Sequence, residues 1–229
     1  MIKLVIFDLD DTLISEADYV KSGYRVVSRY IEEKFKINSE NVFNKLWSYF
    51  ENKEKNTFNK LLDEYQISYS KDDIVELVNV YRNHKPTISF FDDVIPFLNE
   101  LKSKNIYTGI ISDGYINTQK NKLDALKAWN KFDYIILTDE LGKEYWKPNP
   151  KAFEMMIQKF YLNPEEIIYI GDNPKKDFYI KNFMPIKTVR ILRKKAIYID
   201  AEYMQDIKED VIIKDLFELN KSWIERISL

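Results

Sequence analysis

Cysteine is absent from the 229 residues and histidine occurs once, at His84. The first absence excludes disulfide frameworks and thiol nucleophiles; with a single histidine, Cys/His zinc sites and Ser-His-Asp triads supported by further histidines are excluded as well. Catalysis is left to carboxylates, hydroxyls, lysines or a hard cation. Glycine is scarce, at Gly23, Gly109, Gly114, Gly142 and Gly171, so glycine-rich phosphate loops can be checked by inspection. No GxGxxG occurs, and although Gly109 and Gly114 have the outer spacing of a Walker loop, Tyr115 follows where that loop needs lysine. Neither sign of charge is in excess: 35 Lys and Arg stand against 37 Asp and Glu, a formal charge of -2. No basic surplus therefore points to nucleic acid or an anionic membrane. The opening MIKLVIFDLDD has too short an apolar run for a secretory signal, and no later run approaches membrane-spanning length, so a cytoplasmic protein is expected.

What is present suits a soluble globular chain with a sizeable core, at 45% hydrophobic and 31% charged residues. Short β-branched and aromatic runs recur at 2–7, 106–111, 134–137, 167–170 and 188–192, each ending in a polar turn. Continuous rather than alternating apolar residues predict strands covered on both faces, as in a parallel sheet. Helical patterns at 115–128, 150–160 and 174–183 supply crossovers, so the core is expected to be a doubly wound α/β fold. One interval is too long. Roughly 90 residues separate Asp11 from Ile106, where a single crossover needs far fewer. Apolar residues there fall at helical spacing, as in Val20, Tyr24, Val27 and Ile31 or Phe58, Leu61, Leu62 and Tyr65, predicting four amphipathic helices. The expected organisation is a core of 1–14 and 86–229 with a small helical cap domain of 15–85 inserted into it.

The chemistry concentrates at the strand ends. In an extended backbone residues i and i+2 point the same way, so Asp8 and Asp10 of the first strand present two carboxylates to one spot. The second strand ends in Ser112-Asp113-Gly114, a hydroxyl and backbone N–H groups at a helix start that suit a phosphate oxygen. Lys147 precedes a proline-initiated helix after the third strand, and the fourth is followed by Gly171-Asp172-Asn173-Pro174-Lys175-Lys176-Asp177. Taken singly, the serine is a plain helix cap, the lysine solvated surface and the acidic pair a turn. Together and in this order, DxDxT, Ser, Lys and GDxxxxD resemble the haloacid dehalogenase superfamily of aspartate-nucleophile phosphohydrolases, and the resemblance covers nearly the whole chain.

The resemblance implies that Asp8 is the nucleophile and Asp10 the general acid and base. It implies Mg²⁺ held by Asp8, the backbone carbonyl of Asp10 and Asp172, with phosphate oxygens held by Ser112, the Asp113 N–H and Lys147. Thr12 is expected to bond the turn that aims Asp10, and Asp177 to orient Lys147 or a metal-bound water. For Asp11 a helix-start or solvated role is expected. An acid at position 10 suits an alcohol leaving group, so a phosphomonoesterase is expected rather than a dehalogenase. A small sugar or polyol phosphate is the expected substrate, with a nucleoside 5'-monophosphate phosphatase or a phosphomutase of the same superfamily as alternatives. A phospho-receiver signalling module is the alternative of another class, opposed by the DxD pair and the helical insertion. Neither nucleic acid nor membrane is an expected partner, and the chain is expected to be a monomer or homodimer.

Overall fold

The computed structural model describes residues 1–219. Its strands are β1 (Leu4–Phe7), β2 (Tyr107–Ser112), β3 (Tyr134–Leu137), β4 (Ile167–Gly171), β5 (Lys187–Ile191) and β6 (Val211–Ile213). Its α-helices are α1 (Glu16–Phe35), α2 (Ser39–Glu51), α3 (Thr57–Glu64), α4 (Lys71–Asn83), α5 (Val94–Ser103), α6 (Ile116–Leu126) and α7 (Lys151–Phe160). The strands form one parallel sheet in the order β3-β2-β1-β4-β5-β6. Every residue of β1 and β4 is buried, as strands covered on both faces must be. Leu4 and Ile6 pack on one face with Phe153 and Met156 of α7, and Phe7 meets Phe97 of α5 on the other.

The strand order reverses at β1, so the crevice at a doubly wound sheet's switch point opens at its carboxyl end. Phe7 is level with both Ile110 and Ile170, which brings Asp8, Ser112 and Asp172 out at one edge. Two elements differ from the sequence reading. The short strand β6 extends the sheet beyond β5, and 174–183 is not an α-helix but a set of turns and a 3-10 segment at Phe178–Asn182. Asp177 explains the second difference: its Oδ2 accepts from the Asn173 backbone N–H at 2.9 Å, a side-chain bond that competes with regular helix.

The chain divides into two compact units, Met1–Glu16 with the chain from Ser89 onward, and Ala17–Ile88. The second is all-helical, built on α1 to α4, with Val27, Ile31, Leu46, Leu61 and Leu77 at its centre. Among the described residues no helix is long and apolar enough to cross a membrane.

Candidate active site

Asp8 leaves the tip of β1 almost fully buried, with Lys147 beside it. The ammonium of Lys147 is bonded to Asp8 Oδ1, lies 2.9 Å from Asp177 Oδ1, and donates to the Tyr169 hydroxyl at 2.7 Å. That hydroxyl in turn donates to Asp177 Oδ1 at 2.8 Å, so a buried tyrosine of β4 and a carboxylate together hold the lysine against Asp8. Gly171 is what lets Asp177 come this close, since a Cβ there would sit 2.6 Å from its Oδ2. Burial disfavours the charge on Lys147, yet Asp177 and Asp8 keep its pKa well above the usual lysine value.

Three carboxylates, those of Asp8, Asp172 and Asp177, place one oxygen each within 4.8 Å of one another. Burial pushes the Asp8 carboxyl up to about 6 against the pull of Lys147, with Asp177 adding to the rise. Asp172 is pushed well above the usual carboxylate range, by burial first and then by Asp177 and Asp8. Its Oδ2 is buried and has no hydrogen-bond partner, whereas both oxygens of Asp177 are engaged. A hard divalent cation fits this donor set: it would take up the orphaned oxygen and neutralise charges that one lysine leaves in excess. The side chain of Asp10 is not one of the three carboxylates of this cluster.

Asp10 instead faces α6. Lys122 Nζ lies 2.6 Å from its Oδ1, and Gln119 Nε2 donates to its Oδ2 at 3.0 Å and to Ser112 Oγ at 2.6 Å. The Asp113 carboxylate accepts from the Lys147 N–H (3.0 Å), Thr138 Oγ1 (2.8 Å) and Lys176 Nζ (2.8 Å), binding three strand ends together. Burial raises the Asp113 pKa, but Lys147 and Lys176 outweigh it and hold the group below its ordinary value. Glu16, at the start of α1, is half-buried, and burial followed by Asp10 pushes its carboxyl up to about 7.

One expectation needs correction, and for Asp11 one of its two alternatives holds. The Thr12 hydroxyl bonds nothing among the described residues. The turn is closed by backbone, with Leu13 N–H to Leu9 O at 2.9 Å, and the Thr12 carbonyl accepts from Arg193 instead. Asp11 is buried, not solvated: it takes a positive φ of 50° and accepts from the Glu16 and Ile197 N–H groups, both at 2.9 Å, a helix-start role.

Asp8, Lys147, Asp172 and Asp177 converge as one cluster, and Asp10, Ser112 and Asp113 stand at the same sheet edge. Gln119, Lys122, Tyr169, Lys176 and Glu16 were not anticipated. For the first two a signal existed: Gln119, Lys122, Leu123 and Leu126 are the buried residues of α6 and fall at i, i+3, i+4 and i+7, so two polar residues occupy an apolar stripe.

The profile of the haloacid dehalogenase-like hydrolases matches residues 5–191. Glyceraldehyde 3-phosphate phosphatase of Methanocaldococcus jannaschii is 32% identical over 224 residues, covering 96% of each chain. The pyrophosphatase PpaX of Oceanobacillus iheyensis is 26% identical, covering 95% of each. Among solved structures, a HAD phosphatase from Thermococcus onnurineus superposes with a TM-score of 0.61 at 22% identity, over 96% of this chain and 97% of that one.

Proposed function

The chain belongs to the haloacid dehalogenase-like hydrolases and is a phosphatase, and from that premise we propose a Mg²⁺-dependent phosphomonoesterase for small sugar or polyol phosphates, working through a phosphorylated Asp8. The observation that carries the proposal is the Asp8–Lys147–Asp177 array beside the unpartnered Asp172 oxygen. Asp8, the Asp10 carbonyl and Asp172 would hold Mg²⁺, which supplies charge neutralisation for an anionic nucleophile meeting an anionic phosphate.

The protein's own groups do the rest. The Asp8 carboxylate attacks phosphorus; as the ester P–O bond breaks, Asp10 gives its proton to the departing oxygen. Asp10, now a carboxylate, takes a proton from water whose oxygen attacks phosphorus, and the Asp8–phosphorus bond breaks to release phosphate. Lys147 stabilises charge on the transferring group throughout. The Ser112 hydroxyl and the Asp113 N–H hold its oxygens.

Triose phosphates lead the substrate class, because a relative matched end to end at 32% carries the name glyceraldehyde 3-phosphate phosphatase. In this reading 17–88 is the cap domain that the family resemblance implies. Phosphate release from a panel of phosphorylated metabolites tests the substrate, with triose and polyol phosphates expected to lead. A nucleotide exceeding them tenfold in kcat/KM would overturn that choice. Asp8→Asn is expected to abolish turnover, and wild-type rates in that variant would overturn the mechanism. Accumulation of phosphorylated Asp8 without comparable phosphate release would select a receiver instead.

A further inference from the structure

We propose that Gln119 and Lys122 are positioning residues that aim the acid/base Asp10 and the phosphate-binding Ser112 as one unit; the inference rests on the phosphatase reading above. Both residues belong to α6, are spaced i, i+3, and are all but fully buried. Each takes one oxygen of the Asp10 carboxylate, Lys122 at Oδ1 (2.6 Å) and Gln119 at Oδ2 (3.0 Å), which fixes both the direction and the rotation of the group.

The amide of Gln119 has two N–H groups, one for Asp10 and one for Ser112 Oγ at 2.6 Å. In the base form that Asp10 takes once its proton has gone to the leaving group, the carboxylate only accepts, so the nitrogen and not the oxygen of the amide must face it. Ser112 Oγ accepts from the amide, so its own proton stays available for an outside acceptor, the place of a phosphate oxygen. The proton donor to the leaving group and the hydroxyl that holds the phosphoryl group are thereby set at a constant separation by one side chain. Gly114 leaves room for this: its φ is 127°, and a Cβ there would meet Gln119 Cδ at 3.2 Å. A buried lysine and a buried glutamine on an otherwise apolar stripe would be costly as mere packing, since each must find polar partners in the interior.

Substrates with different leaving groups separate aiming from structure. An alkyl phosphate such as glycerol phosphate needs a proton on its leaving oxygen, whereas p-nitrophenyl phosphate barely does. In full-length protein with Mg²⁺, Lys122→Met is expected to lower kcat/KM for the alkyl ester by about 10–100-fold and for the aryl ester by no more than about threefold, the difference being the lost acid catalysis. Lys122→Arg should restore most of the alkyl activity. Gln119→Leu should show the same selective loss and, because Ser112 is also released, weaken inhibition by inorganic phosphate about fivefold, the scale of one hydrogen bond; Lys122→Met should leave that inhibition unchanged. Both substrates are read on one preparation, so a partly unfolded variant would lower them equally and leave their ratio unmoved. An equal fall for both esters, or no fall, overturns the inference while the phosphatase reading stands. A wild-type chain inert on both esters overturns that reading and this inference with it.

Discussion

Among the described residues of Ala17–Ile88, the buried polar side chains are Ser28 and His84, whereas the sheet-containing unit buries Asp8, Asp93, Lys122, Lys147, Asp172 and Asp177 among others. The helical unit keeps its ion pairs at the surface, as in Arg25–Glu40 and Lys45–Glu64, around a centre of aliphatic and aromatic residues. Taking a charge out of water is costly unless partners replace the water, and a buried pair seldom outperforms apolar packing of the same shape. A chain that holds a bundle together without buried charge has no general need of it. The concentration of charge in the sheet unit, mostly at one sheet edge, is therefore explained by chemistry, and substitutions in the two units should differ accordingly.

The largest stability effect is expected at Arg193. Its guanidinium is bidentate on Asp93 (2.6 and 2.9 Å) and also donates to the Thr12 carbonyl, while Asp93 accepts from the Leu216 N–H at 2.7 Å. Arg193→Met strands a buried carboxylate and frees the turn that follows Asp10, so a loss of about 3–5 kcal/mol is expected in urea unfolding. Adding Asp93→Asn should recover part of it. A loss below about 1 kcal/mol, the range of exposed pairs, would break the contrast between the units.

Next comes the carboxylate cluster, where stability and chemistry oppose each other. Asp8 is raised to about 6 and Asp172 well above its usual value, so the folded chain binds these protons more tightly than the unfolded chain does. Their contribution is thus fully present below the ordinary carboxylate range and is lost as pH rises towards 6 and beyond. In chelator the melting temperature should fall across that interval, and Mg²⁺ should restore it more at pH 7.5 than at pH 5. Asp172→Asn removes a charge from the cluster; in chelator at pH 7.5 it should raise the melting temperature by about 2–6 °C while abolishing the gain from Mg²⁺. A variant that melts lower than wild type in chelator would show that the cluster is not over-charged.

The same contrast explains what was legible in the sequence. Strands β1 to β5 announce themselves because strands covered on both faces are rich in β-branched and other apolar residues in unbroken or nearly unbroken runs, and α1 to α4 because each buries a single stripe. β6 has three residues, one of them half-exposed, too few for a pattern. Asp8, Asp10, Ser112, Lys147 and Asp172 were legible because a parallel sheet delivers the ends of its strands to one edge. Tyr169 reads as core, and its hydroxyl acquires a purpose only when β4 is laid beside β1. Gln119 and Lys122 share the stripe of Leu123 and Leu126, which marks them as turned inward, but the partners they meet there, Asp10 and Ser112, are set only by the fold. The segment after Asp172 reads as helix because spacing does not reveal that the Asp177 side chain bonds its own backbone.

The smallest effect is expected at Glu40, on the surface of the helical unit. It pairs with Arg25 at 2.6 Å, but the two side chains are 44% and 59% exposed for Arg25 and Glu40 respectively, so water already solvates most of both charges. Glu40→Gln should cost no more than about 1 kcal/mol, and the cost should shrink as salt is raised, because an exposed pair is screened. Arg25 is not equivalent to its partner. Its guanidinium lies 3.7 Å from the centre of the Phe43 ring, a contact that survives when Glu40 is neutralised and is lost in Arg25→Ala. Arg25→Ala should therefore exceed Glu40→Gln by about 0.5–1 kcal/mol, the scale of an exposed cation–π contact, with a difference that salt barely alters. Equal costs for the two would show that the ring contributes nothing. A cost above about 2 kcal/mol for Glu40→Gln would place an electrostatic device in the helical unit too, and the division of charge between the units would no longer hold.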